Sequence, residues 1–222
     1  MNYTERIKAE ILAAGCMMLD KGLVAGTWGN ISSRITGTEL IAVTPSGKEY
    51  HEITAADVVV VDMTGTIIEA SCKPSSELPL HLAIYSARPD IQAIIHTHSI
   101  FASACAVAHK NIPPIIEDLV QLSGGSVDVA AYALPGTDAL AQNVVVALGK
   151  KNAVLMANHG VVGCGQSLAE GMMACELVEK AAQIFIYANQ IGGAQALSDE
   201  DIEVMHKFYV EYYRQRQQGR KV

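Results

Sequence analysis

The sequence predicts an α/β protein. Helical segments with apolar residues spaced three and four apart are interleaved with short apolar or β-branched runs, no Ser/Gly-rich linker separates them, and no segment repeats. The unit is expected to be one domain over residues 1–222, with 198–222 as a C-terminal helix and tail.

Each element follows from its local pattern. From Tyr3 to Lys21, Ile7, Ile11, Ala14 and Met18 share one face, an amphipathic helix that Gly22 ends. Thr27 to Ile35 and Leu40 to Val43 read as strands joined by a turn at Gly37, and Thr44-Pro45-Ser46-Gly47 as a turn. Val58 to Val61 is a short apolar strand that Met63-Thr64-Gly65 turns into Ile67-Ile68. A helix is expected from Ser75-Ser76-Glu77 to about Ala87, capped by a serine, with Pro79 in the first turn, where a missing N–H does little harm.

Ile91 to Ile95 is a strand and Ser99 to Val107 a helix; Ile115-Ile116 and Val127 to Ala130 are strand candidates. Asp138 to Leu148 is helical, and Val154 to Met156 and Val161-Val162 are strands flanking the Asn158-His159-Gly160 turn. Gln166 to Gln190 is a long helix. After the Gly192-Gly193 hinge, Ser198 caps a final one to Gln215, with Asp199-Glu200-Asp201 in its first turn.

Composition excludes several classes. Lysine plus arginine number 16 against 23 acidic residues, a net charge of −7, which lacks the basic face of a nucleic-acid binder. No apolar run approaches the ~20 residues that span a bilayer, and the N-terminus lacks the basic-then-apolar order of a secretory signal. Five scattered cysteines without a C-x-x-C pair fit small buried residues in a reducing cytoplasm. A soluble, cytoplasmic protein is expected.

The chemistry concentrates in two sets of residues. His96-Thr97-His98 follows an apolar strand, where residues two apart project from one side, so both imidazoles can chelate one ion. A third from His159 completes a three-histidine site that leaves a position open, as in catalytic zinc; imidazole also suits other divalent transition metals. His51, His81, His109 and His206 are read as surface or core residues, with His81, one turn after Glu77, near enough to support the site.

The second set consists of turns rich in hydroxyls and glycine: Thr27 to Asn30, Ile31 to Ser33, Thr44 to Gly47, and Ser75-Ser76. The last lies at a helix N-terminus, where free N–H groups and the dipole favour a phosphate. Glu77 there either complements the dipole or serves as a proton-abstracting base between phosphate and metal.

Taken together, Gly26-Thr27-Trp28-Gly29-Asn30-Ile31-Ser32, Thr44-Pro45-Ser46-Gly47, Pro74-Ser75-Ser76-Glu77, His96-Thr97-His98 and Asn158-His159-Gly160 resemble the class II aldolase/adducin-head family over nearly the whole chain. The resemblance implies a three-layer α/β/α fold around a mostly antiparallel sheet, assembled as a homotetramer with sites between subunits. It implies Zn2+ on His96, His98 and His159, the substrate phosphate on Thr27, Asn30, Ser46, Gly47, Ser75 and Ser76, and Glu77 as acid/base. The implied reaction cleaves a ketose 1-phosphate (fuculose 1-phosphate, or a 5-deoxy or methylthio pentulose 1-phosphate) to dihydroxyacetone phosphate and an aldehyde. Sister 4-epimerases, dehydratases and decarboxylases share the scaffold, and the adducin head has the fold without the site. One position departs: where the family's sugar-phosphate aldolases carry a catalytic tyrosine before a Gly-Gly pair, this chain has Asp118, beside Glu117. The second proton transfer then falls to Asp118, to Glu117, or to a residue that the sequence does not place.

Overall fold

The computed structural model describes residues 3–217. One eight-stranded sheet in the order β4-β3-β2-β1-β5-β8-β7-β6 organises it. The strands are β1 (Asn30–Arg34), β2 (Leu40–Val43), β3 (Val59–Asp62), β4 (Ile67–Glu69), β5 (Ala93–Thr97), β6 (Val129–Ala130), β7 (Ala153–Met156) and β8 (Gly160–Gly165). All neighbours pair antiparallel except β6 with β7. The helices are α1 (Tyr3–Asp20), α2 (Leu78–Ala87), α3 (Ile100–Val107), α4 (Glu117–Ser123), α5 (Asp138–Leu148), α6 (Leu168–Gln190), α7 (Asp199–Phe208) and α8 (Arg214–Gln217), the last two joined by a π-helical stretch, Tyr209–Tyr213.

Strand alternation explains the layers. Along β5, Ala93 and Ile95 pack with Ile7, Ile11 and Met18 of α1 and Met172 of α6, whereas Ile94 packs with Leu80 and Ile84 of α2 and Val144 and Leu148 of α5. In β7, Ala153 and Leu155 meet α3 and α6, and Val154 and Met156 the opposite side. A sheet covered on both faces needs near-continuous apolar strands, which these sequences supply. Burying each such isoleucine contributes about 1.5–3 kcal/mol. The result is the three-layer α/β/α arrangement around a mostly antiparallel sheet.

Three local expectations are corrected. Ile115-Ile116 form no strand: Ile116 caps α4, and the pairing in this region is a bridge from Ile112 to Val127. The helix Glu117–Ser123 was not anticipated, because seven residues are too few to reveal a 3.6 period. Its signals were the acidic pair at its start and Gly124, which ends it at φ 80°. The third concerns the start of α2. Its cap position is Glu77 itself, with no side-chain cap bond, and Ser75 Oγ instead accepts the Glu77 N–H at 3.2 Å. Glu77 has turned its carboxylate away from its own helix.

The tail packs against the body. Ser198 caps α7 as expected, accepting the Asp201 N–H at 3.1 Å. Buried Tyr209 donates to Glu170 Oε1 at 3.0 Å, and the same oxygen accepts Arg214 Nε at 2.7 Å. Residues 218–222 of the expected tail lie outside the described residues. No helix among the described residues is long and apolar enough to cross a membrane.

Candidate active site

The polar residues of β1 and β5 lie on the face covered by α2. Ile31 and Ile95 belong to the opposite core, so Asn30, Ser32 and His96 point towards α2, and Asn30 pairs with His96 in the β1–β5 register. Gly29 makes this approach feasible: at φ 79°, a Cβ there would lie 2.6 Å from the His96 carbonyl oxygen. His98 follows just past β5, its backbone N–H donated to Leu23 O at 3.0 Å. The Nε2 atoms of His96 and His98 are 2.8 Å apart.

His159 arrives from the β7–β8 turn. Asn158 adopts φ 55°, a left-handed conformation that asparagine tolerates, and its Oδ1 accepts from His109 Nε2 at 2.7 Å. Gly160 then begins β8 so close to β5 that a Cβ would stand 2.3 Å from Thr97 O. The three rings come together with centroids 4.6, 4.8 and 5.1 Å apart, and one ligand atom from each lies within 4.8 Å of the others.

The chemistry of this trio suits a metal. His96 Nδ1–H donates to Val161 O at 2.9 Å, so Nε2 carries the lone pair. Burial, then the neighbouring imidazoles, pushes His96 and His98 down to about 3. Both are neutral near pH 7, the form that binds a cation. Glu77 Oε2 lies 3.2 Å from His96 Nε2 and Oε1 3.5 Å from His159 Nε2. Glu77 Oε1 and His159 Nδ1 are buried without a hydrogen-bond partner among the described residues. Three imidazoles beside an unsatisfied carboxylate oxygen fit a divalent transition ion with a position left open.

Behind Glu77 runs a buried polar chain. Asn30 Nδ2 donates to Glu77 Oε2 at 2.8 Å, and Asn30 Oδ1 meets His81 Nε2 at 2.6 Å. His81 Nδ1 lies 2.6 Å from Ser32 Oγ, which is 2.9 Å from the Tyr85 hydroxyl. His81 is inaccessible; burial pushes it down to about 3, Glu77 acting upward and His96 downward.

In front of Glu77 lies a cavity of about 280 Å³ lined by Thr27, Trp28, Gly29, Asn30, Pro45, Ser46, Gly47, Ser75, Ser76, Glu77, His98, Pro135 and His159. The turns meet there because Ser75 N–H donates to Thr44 O and Ser46 N–H to Lys73 O, each at 3.0 Å. All six residues expected at a phosphate therefore border one space. The Asn30 amide, however, is committed to Glu77 and His81 except for its second N–H.

Asp118 and Glu117 do not border this cavity. Both are in α4, where Asp118 Oδ2 pairs with Lys180 at 2.5 Å. Trp28 lines the cavity as well: it is 66 % exposed, its ring 5.8 Å from His98. Ser32, expected in a hydroxyl-rich turn, instead lies on β1 and meets His81; Tyr85 was not anticipated.

A small polar cavity floored by imidazoles is what an enzyme acting on a small anionic substrate requires. The model of the class II aldolase and adducin N-terminal domain matches residues 9–186. A 5-deoxy-D-ribulose 1-phosphate aldolase of Bacillus thuringiensis serovar kurstaki is 36 % identical over 211 residues, 95 % of this chain and 99 % of that one. An L-fuculose phosphate aldolase of Escherichia coli K12 is 32 % identical over 208 residues, 93 % and 95 % of the two chains. Among solved structures, an L-fuculose 1-phosphate aldolase superposes with a TM-score of 0.89 at 36 % identity, covering 92 % of this chain and 96 % of its own. The chain belongs to the class II aldolase and adducin N-terminal domain family, and it is an enzyme of the aldehyde-lyase class.

Proposed function

We propose that the chain cleaves a ketose 1-phosphate reversibly to dihydroxyacetone phosphate and an aldehyde, with one divalent ion, Zn2+ first among candidates, on His96, His98 and His159. The observation that carries this reading is the convergence of three imidazoles and the Glu77 carboxylate on a cavity walled by hydroxyl- and glycine-rich turns. The names of the similar aldolases support a 5-deoxypentulose 1-phosphate or fuculose 1-phosphate as substrate; a methylthio pentulose 1-phosphate has the same reacting carbons.

Thr27, Ser46, Gly47, Ser75 and Ser76 hold the phosphate, together with the remaining Asn30 N–H. An ion held by His96, His98 and His159 would supply Lewis acidity, which would acidify the C–H beside the substrate carbonyl. In condensation Glu77 takes that proton from dihydroxyacetone phosphate; in cleavage it returns the proton to the same carbon. The aldehyde oxygen gains a proton in condensation from Asp118 or Glu117 of a second copy and gives it back in cleavage. The mechanism requires no lysine Schiff base, and among the described residues no lysine lines the cavity. Exposed Trp28 and Ile100 beside His98 favour an assembly of copies, a homotetramer, whose mass in solution is directly measurable. The enzyme is assigned to the cytoplasm.

The test is a panel of ketose 1-phosphates assayed for dihydroxyacetone phosphate release through a coupled dehydrogenase. Turnover is expected to vanish with chelator and return with Zn2+. Glu77→Gln is expected to keep its metal and lose roughly 10²–10⁴-fold in turnover. Activity indifferent to chelator, or a fully active Glu77→Gln enzyme, would overturn the reading.

A further inference from the structure

The polar chain behind Glu77 is directional. A carboxylate accepts hydrogen bonds, so the Asn30 amide faces Glu77 Oε2 with its nitrogen, at 2.8 Å. Its oxygen is then left towards His81 Nε2, 2.6 Å away, and that nitrogen must carry the imidazole proton. His81 Nδ1 consequently holds a lone pair and accepts from Ser32 Oγ at 2.6 Å. Ser32 Oγ in turn accepts from the Tyr85 hydroxyl at 2.9 Å, whose proton burial helps it to keep. Every member has one role, and the direction propagates over four side chains.

Stability alone does not account for such a chain. Ser32 and His81 are inaccessible and Asn30 is 4 % exposed; apolar side chains packed between strand and helix would avoid the desolvation cost of all three. What the chain does provide is asymmetry at the carboxylate. Oε2 is held by Asn30, while Oε1 is buried without a hydrogen-bond partner among the described residues and faces His159.

We propose that His81 is a positioning residue for the reaction: acting through Asn30, it fixes the amide so that Oε2 of Glu77 is clamped and Oε1 is the oxygen that carries the proton. Without the His81 donor, the Asn30 amide can turn its carbonyl towards the carboxylate, and the base loses its aim. The inference rests on Glu77 being the base.

Two measurements on the metal-loaded enzyme test it. His81→Leu removes the donor, and His81→Gln restores one near the position of Nε2. His81→Leu is expected to lower kcat roughly 10–100-fold, as loss of an orienting partner does, with metal content unchanged and KM within about twofold. His81→Gln is expected to recover most of the loss. Nitrogen-15 NMR of histidine-labelled, unsubstituted enzyme is expected to show His81 protonated on Nε2, a reading that no misfolded variant can obscure. A His81 protonated on Nδ1, a His81→Leu enzyme with undiminished kcat, or a His81→Gln enzyme no better than the leucine variant would overturn the proposal. An active Glu77→Gln enzyme would remove the base assignment instead; an inactive one beside a fully active His81→Leu removes only the positioning role.

Discussion

The buried imidazole of His81 should leave a measurable mark on acid stability. In the folded chain burial holds it down to about 3, whereas an unfolded chain titrates it at the ordinary 6.5. Above the upper value neither state binds the proton and His81 is silent. As pH falls between the two values, only the unfolded state takes up the proton, so stability drops by about 1.4 kcal/mol per pH unit. At two units below the ordinary value, near pH 4.5, the cost is about 2.7 kcal/mol, a large fraction of a typical domain's stability. The assay is urea unfolding of metal-free protein at fixed concentration, at pH 7.5 and 4.5, for the wild type and His81→Gln. Groups remote from His81 contribute equally to both proteins and cancel in the comparison, while Glu77 and His96, which act on His81, leave a smaller residual. The glutamine variant should lose about 2.7 kcal/mol less than the wild type over this interval. Equal losses would refute the reasoning, because they would mean that His81 gains its proton while folded.

Three further outcomes are expected. Gly160→Ala places a methyl group 2.3 Å from Thr97 O and 3.2 Å from His96 Cε1; it should cost about 1–3 kcal/mol or more, lower Tm by several degrees in a thermal melt, and weaken metal retention in elemental analysis. Ser76→Ala, at an exposed position on the cavity wall, should raise KM and the inhibition constant of inorganic phosphate roughly tenfold or more while Tm holds; unchanged values would remove Ser76 from the phosphate site. Asp118→Asn should lower turnover at constant metal content, and mixing it with inactive Glu77→Gln subunits should regenerate activity if the two carboxyls meet between copies. A fully active Asp118→Asn enzyme excludes Asp118 as the proton donor.

Much of this architecture was legible because one local rule sufficed. Period-3.6 apolar spacing marks α1, α5 and α6, and continuous apolar runs mark β3, β5 and β7. His96 and His98 were readable as a pair because residues two apart on a strand share a side, although His98 stands just past the end of β5. What escaped depends on long-range contacts. The helix α4 is too short to show a period, so Asp118 and Glu117 were readable only by their position before Gly124-Gly125. The Ser75-Ser76-Glu77 turn was readable as a phosphate cradle with Glu77 beside it, but its expected serine cap was wrong, because nothing local shows that Glu77 occupies the cap position and bonds Asn30, forty-seven positions earlier. Ser32 was readable as part of a hydroxyl-rich turn but not as a partner of His81, and Tyr85 was not readable, because a buried hydroxyl announces itself only when its partner is known.

The sheet register explains why the site is assembled here. Asn30 lies opposite His96 across β1–β5, and Thr97 opposite Val161 across β5–β8, so three adjacent strands end at one rim, where the His159 turn also emerges. The alternation that buries Ile31 and Ile95 against α1 and α6 obliges Asn30, Ser32 and His96 to face α2. A slip of one residue would exchange the two sets, exposing isoleucines to the polar chain and turning the histidine into the apolar layer. The hydrophobic core therefore sets the direction of the polar residues, and an ion bound to the three imidazoles would in turn stabilise that register, because it binds only the folded arrangement. Core and site are two readings of the same pairing, so substitutions that loosen the β1–β5–β8 rim should weaken metal retention before they unfold the sheet.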